Sequence, residues 1–77
     1  MIAEIKLIKK TALEELIESN NTKAITEMIE VKEIALKNAL ENAEFYRSIN
    51  NLEFADNEQS RANRLQRDIS KLRAAIL

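Results

Sequence analysis

Carboxylates are the residues of this chain whose spacing could support catalysis. Glu27 and Glu30 are three residues apart, and Glu53 and Asp56 repeat that spacing farther along. Residues three apart on a helix are neighbours on its surface, so each pair could present two carboxylates together. Such a set suits Mg²⁺, which prefers oxygen ligands and needs no histidine. The chain has no His and no Cys, which excludes a Ser-His or Cys-His catalytic pair and a zinc site of the usual kind.

This ExxE…ExxD pattern resembles that of the all-α nucleotide pyrophosphohydrolases. In that family, acids on two facing helices hold magnesium ions against the phosphates, so the resemblance implies Mg-dependent hydrolysis of nucleotides. It covers four residues of the chain. Helix capping explains two of the four residues differently, because Glu53 and Asp56 lie at a predicted helix start, where acids are stabilising. We favour a non-enzymatic protein with no catalytic residue, cofactor or metal, and keep the hydrolase as a remote alternative.

The composition predicts an all-α fold. Gly and Pro are absent, hydrophobic residues make up 45% of the chain, and charged residues make up 32%. Asn20-Asn21 and Asn50-Asn51 each follow a periodic apolar segment, and Asn can end one helix in the left-handed conformation and cap the next. We predict a single helical domain over residues 1–77, with helices at roughly 2–18, 22–48 and 52–77.

The first segment has a second interpretation. Thr11 and Glu14 have the spacing of a capping box, so the first helix could begin there and Ile2 to Lys9 could form a strand. A strand followed by two helices resembles the ribbon-helix-helix repressors, whose paired strands enter the major groove of DNA. We favour the helix, because one face of that strand would bring Glu4 and Ile8 to the DNA.

Helices 2 and 3 are predicted to form an antiparallel hairpin with coiled-coil-like packing, which helix 1 completes as a three-helix bundle. Their similar lengths and short link favour this arrangement. Folding about Asn50 would bring residue i near residue 100 − i and pair Lys32 with Asp68. The predicted apolar face of helix 2 comprises Ile25, Met28, Ile29, Ala35, Leu36, Ala39, Leu40, Ala43 and Tyr46. The facing stripe of helix 3 comprises Ala55, Glu58, Ala62, Leu65, Ile69, Leu72 and Ile76.

A second stripe runs along another side of helix 2, with the steps of three and four residues that are typical of coiled coils. It comprises Val31, Ile34, Asn38, Asn42, Phe45 and Ile49. Scattered apolar residues are normal on protein surfaces, but this regular spacing with Phe and Ile favours a subunit interface. We expect a homodimer or higher oligomer in which Asn38 and Asn42 fix the register.

The charges are segregated along the chain. Residues 11–58 hold eleven acids and four bases, whereas residues 59–77 hold five bases and one acid. Four of the bases, Arg61, Arg64, Arg67 and Lys71, are predicted to share one side of helix 3 and to contact an anion or an acidic partner. Nucleic acid or a small anion such as a nucleotide is the alternative ligand. The simplest explanation is charge matching with the acidic helix 2.

By elimination, the predicted function is protein–protein interaction. We expect a small helical adaptor, regulator or inhibitor of a larger complex, which binds itself and another protein. No apolar run reaches the ~20 residues of a membrane span, and Met1–Lys10 lacks the pattern of a signal peptide, so we expect a cytoplasmic protein without a membrane partner. The many Ile, Lys and Asn residues, whose codons are AT-rich, favour a bacterial or phage source.

Overall fold

The computed structural model describes residues 11–77, and this part of the chain folds into three helices without a strand. They are α1 (Ala12–Glu18), α2 (Thr22–Ser48) and α3 (Leu52–Ala75). The all-α prediction is confirmed over this range. The predicted bounds of helix 2 match α2, and α3 ends two residues before the predicted end of helix 3.

A capping box fixes the start of α1. Thr11 is extended, with φ −73° and ψ 162°. The Glu14 N–H donates to Thr11 Oγ1 (3.2 Å), and the Thr11 N–H donates to Glu14 Oε1 (3.0 Å). These bonds satisfy donors that a helix start leaves unpaired. The helix expected over 2–18 therefore does not run continuously through Thr11. The choice between helix and strand for Ile2 to Lys9 lies outside the described residues.

Asparagine forms both helix junctions, as predicted. Asn20 (φ 57°) and Asn50 (φ 61°) adopt the left-handed conformation. The following residues cap the next helices: Asn21 Oδ1 accepts from the Ala24 N–H (3.1 Å), and Asn51 Oδ1 accepts from the Phe54 N–H (3.3 Å). Asn tolerates this conformation better than most other residues with a side chain, so the chain makes both junctions without glycine.

Four side-chain contacts define the antiparallel hairpin of α2 and α3. The predicted pair of Lys32 and Asp68 is present, with 3.3 Å between Nζ and Oδ2. On the same edge of the hairpin, Asn42 Nδ2 donates to Glu58 Oε1 (3.1 Å). The opposite edge is joined by Arg47 to Gln59 and by Arg73 to Glu33. On the first edge, residue i of α2 therefore contacts residue 100 − i of α3, as the fold about Asn50 requires. On the opposite edge it contacts residue 106 − i.

The core of the hairpin differs between its two ends. Near the Asn50 turn it consists of Ala39, Ala43, Ala55 and Ala62, each at most 1% exposed. We call this end the alanine half. The other end, the isoleucine-leucine half, buries Ile25, Ile29, Ile69 and Leu72. Leu13, Leu16 and Ile17 of α1 pack against that cluster.

The predicted core was wrong at Leu40. It was expected on the apolar face of α2, but its side chain is 41% exposed. Leu40 lies at the margin of that face, in the alanine half, where small residues make a narrow helix contact. The apolar residues of α1 pack at the other end of the hairpin and do not extend the core to Leu40.

Candidate functional site

The second stripe of α2, which we call the apolar stripe, lies on the surface. Its four large members, Val31, Ile34, Phe45 and Ile49, are between 55% and 65% exposed. Their spacing of three to four residues, or multiples of it, places them on one side of α2. The same helix buries Ile25 and Ala43 on its other apolar side. Neither α1 nor α3 covers the apolar stripe, so within residues 11–77 one of the two apolar sides of α2 is packed and the other is exposed.

The two asparagines of the apolar stripe have different surroundings. Asn42 donates to Glu58, so it lies on the edge of the stripe nearest to α3. Asn38 is exposed, one turn away. The position of Asn42 links the stripe to the edge of the hairpin that also carries the pair of Lys32 and Asp68.

The aromatic residues cluster beside the turn. The ring of Tyr46 makes edge-on contacts with Phe45 (centroids 5.6 Å apart) and with Phe54 of α3 (5.3 Å). Phe54 and the nearby Leu52 are exposed and extend the apolar surface around the turn. The sequence prediction missed both residues because it followed only the helical stripes. The signal for them was that all three aromatics fall between residues 45 and 54, on both sides of a predicted turn.

The basic residues of α3 line one shallow groove, whereas their spacing predicted only that they share one side of helix 3. Arg61, Arg64, Arg67 and Lys71 surround a space of about 370 Å³ together with Leu65 and Asp68. We call this space the basic groove. Arg61 lies 3.6 Å from Glu58 Oε1, and Asp68 is held by Lys32. Within residues 11–77, no ion pair involves Arg64, Arg67 or Lys71.

The apolar stripe and the basic groove border the same edge of the hairpin. Asn42, a member of the stripe, bonds to Glu58, which also pairs with Arg61 of the groove. Farther along, Lys32 of α2 contacts Asp68, which lines the groove. A partner that lies along this edge would therefore meet apolar side chains of α2 and cations of α3.

The two pairs of acids in the hydrolase-like pattern are far from each other. Glu27 and Glu30 lie near the start of α2, whereas Glu53 and Asp56 lie beside the turn. Asp56 is next to residue 44 of α2, which is about 20 Å along the helix axis from Glu30 at 1.5 Å per residue. The facing arrangement that the resemblance implies is therefore absent. No group of three or more potential ligands for a metal ion occurs among the described residues.

Comparisons with known proteins add no relative to this description. Neither a protein-family profile, nor a curated protein, nor a solved structure matches the chain. Within residues 11–77, no helix combines the length and the apolar character that crossing a bilayer requires.

Proposed function

We propose that this chain is a small helical protein–protein interaction module that acts as a homo-oligomer. A role as an adaptor, regulator or inhibitor of a larger complex fits such a module, in the cytoplasm of a bacterium or in a phage-infected cell. The observation that carries the proposal is the exposure of all four large apolar residues of the stripe. Removing such surface from water contributes roughly 25 cal/mol per Å².

A second copy is the occupant that we favour for the apolar stripe. The stripe has the spacing of a coiled-coil seam, which suits a second helix of the same kind. The net charge is −1, so two copies repel each other little. Phe45 is the expected anchor, because aromatic side chains carry much of the binding energy of interfaces. The cations of the basic groove then remain at the rim, available to an acidic partner protein.

Solution mass from light scattering tests this proposal. Phe45→Glu introduces a charge into the apolar stripe, so we expect the wild type to be oligomeric and this variant to be monomeric. Leu40→Glu is the matched control, because it makes a similar change at an exposed position on the opposite side of α2. It should stay oligomeric. Circular dichroism should show the same helix content in all three proteins. A monomeric wild type at high micromolar concentration would disprove self-association.

Anion binding is the second candidate function. It is favoured by Arg64, Arg67 and Lys71 of the basic groove, none of which forms an ion pair within residues 11–77. Nucleic acid would contact these cations through its phosphates, whereas a nucleotide would contact only some of them. Four phosphate contacts predict that the logarithm of affinity falls with the logarithm of salt concentration with a slope of about −3 to −4.

A charge-reversal pair tests this second candidate. Arg64→Glu together with Arg67→Glu should abolish retention on immobilised DNA or RNA at low salt. Arg73→Glu with Lys23→Glu makes the same total charge change away from the groove and should retain most of the binding. Equal losses in both double variants would show that only net charge matters and would argue against a site in the groove.

A further inference from the structure

The apolar stripe is nearly symmetric about residue 40. Val31 and Ile49 lie nine residues to either side of that point, and Asn38 and Asn42 lie two residues to either side. Ile34 and Phe45 lie six and five residues away. Apolar residues thus occupy both ends of the stripe and asparagines occupy its middle. A helix that bound an unrelated partner would need no such symmetry.

We propose that two copies of the chain pair through antiparallel α2 helices, with the two-fold axis crossing the apolar stripe between Asn38 and Asn42, level with residue 40 along the helix. This inference rests on the self-association proposed above and specifies its geometry. A two-fold interface requires that if residue i contacts residue j of the other copy, then j contacts i. In this register Val31 meets Ile49 of the partner subunit, and Ile34 meets the partner's Phe45.

The centre of this pair is polar. Asn38 meets the partner's Asn42, and side-chain amides have both donors and acceptors with which to bond each other. A buried polar position of this kind disfavours other registers, since a shift along the helix would leave the amides against apolar side chains. Asn42 keeps its contact with Glu58 at the edge of the stripe.

Charge complementarity distinguishes the antiparallel pair from a parallel one. Lys37 and Glu41 are exposed on α2, and neither takes part in an ion pair within residues 11–77. Lys37 is three residues from Ile34, and Glu41 is three residues from Asn38, so both border the stripe. Antiparallel pairing places Lys37 beside Glu41 of the partner subunit, twice over. In a parallel pair, side chains on one flank of the stripe face the opposite flank of the partner helix. Lys37 and Glu41 share a flank and would therefore not meet each other.

Disulfide cross-linking tests the orientation, and the absence of Cys from the chain makes the test clean. Val31→Cys and Ile49→Cys are prepared separately, one of them with a purification tag, and are oxidised alone and as a mixture. We expect a cross-link only in the mixture and only between the two different variants. Two copies of the same variant would hold their cysteines about 27 Å apart along the axis, whereas a disulfide needs Cα atoms within about 7 Å. Leu40→Cys, on the opposite side of α2, is the control that should not cross-link.

The outcomes separate the orientation from the self-association. Cross-links within each single variant would show a parallel pair and overturn this inference, but would leave the homo-oligomer standing. No cross-link in any sample, with a dimeric mass retained, would show that the stripe is not the contact. A monomeric wild type in the light-scattering experiment would instead disprove the proposed function itself.

A charge exchange gives an independent measurement. Lys37→Glu should raise the dimer dissociation constant by a few-fold to about tenfold, because it replaces two attractive contacts by repulsive ones. Adding Glu41→Lys to that variant should restore the wild-type constant, since the exchanged pair re-forms across the axis. A double variant that stays as weak as Lys37→Glu would overturn the proposed register.

Discussion

The two halves of the hairpin differ in how many large apolar residues they leave exposed. The alanine half leaves five, and the isoleucine-leucine half leaves Val31, Ile34 and Leu77. In the alanine half, α2 and α3 touch through small side chains, and Phe45, Ile49 and Leu52 remain outside. In the isoleucine-leucine half, large side chains fill the helix contact and α1 packs against them. Alanine lets helices approach closely but removes little apolar area from water. The half with the smaller internal core therefore carries more of the surface that a partner can bury.

The helix junctions of the two halves also differ in their hydrogen bonds. At the turn of the alanine half, the Asn50 N–H donates to the carbonyl of Arg47 and the Asn51 N–H donates to the carbonyl of Tyr46. These two bonds form a complete Schellman motif. At the junction of α1 and α2, the Asn21 N–H donates to Ser19 Oγ (3.3 Å). The alanine half thus combines a modest core with a firmly hydrogen-bonded turn.

The largest expected effect is in the isoleucine-leucine half. Leu72 is fully buried in its core cluster, so Leu72→Ala should lower the free energy of unfolding by about 2–5 kcal/mol through lost burial and a cavity. Urea unfolding followed by circular dichroism measures this change. Leu77→Ala removes the same atoms at an exposed position and should change the stability by less than about 0.5 kcal/mol. Equal effects of the two variants would contradict the assignment of the core.

Overpacking tests the alanine half. Ala43 has no exposed surface, so Ala43→Leu should force α2 and α3 apart and lower the free energy of unfolding by about 1–3 kcal/mol. Ala74→Leu, at an exposed position of α3, serves as its control and should be nearly neutral. If Ala43→Leu were tolerated or stabilising, the close approach of the helices in this half would be refuted. Thermal unfolding of both variants at one protein concentration is the measurement.

The smallest effect is expected at the turns. Ala at position 50 must adopt the left-handed conformation without the tolerance of Asn, so Asn50→Ala should lower stability by about 1 kcal/mol. Asn50→Gly should be neutral or slightly stabilising, because Gly takes this conformation at no steric cost. Asn20→Ala should lower the stability of the hairpin by less, since that junction joins α1 to α2 and lies outside the turn between α2 and α3. Denaturation midpoints measure these effects. We expect them to rise in the order Asn50→Ala, Asn20→Ala, Asn50→Gly.

Much of the fold follows from local signals in the sequence. The asparagine pairs mark both junctions, the helical period marks the core of α2 and α3, and equal helix lengths predict the contact of Lys32 with Asp68. The exposure of Leu40 does not follow from the sequence, because it depends on how far along the hairpin the side chains of α1 pack. The aromatic contacts of Tyr46 do not follow either, because they join residues across a turn that a periodic pattern does not span.

The candidate site was predictable to a similar degree. The spacing of Val31 and Phe45 identifies a second apolar side of α2, and the spacing of Arg61 and Lys71 identifies the basic side of α3. Their position on one edge of the hairpin did not follow from either stripe alone. It depends on the rotation of each helix, which the contacts of Asn42 with Glu58 and of Lys32 with Asp68 reveal.

The position of the Asn50 turn also sets an order for folding. Contacts in the alanine half join residues 12 to 16 apart in sequence, whereas those in the other half join residues 36 to 40 apart. Closing the longer loop costs roughly 1 kcal/mol more conformational entropy. We therefore expect the transition state to contain the turn and the alanine half, while the far ends close afterwards. In stopped-flow experiments, Asn50→Ala should mainly slow refolding, and Leu72→Ala should mainly accelerate unfolding.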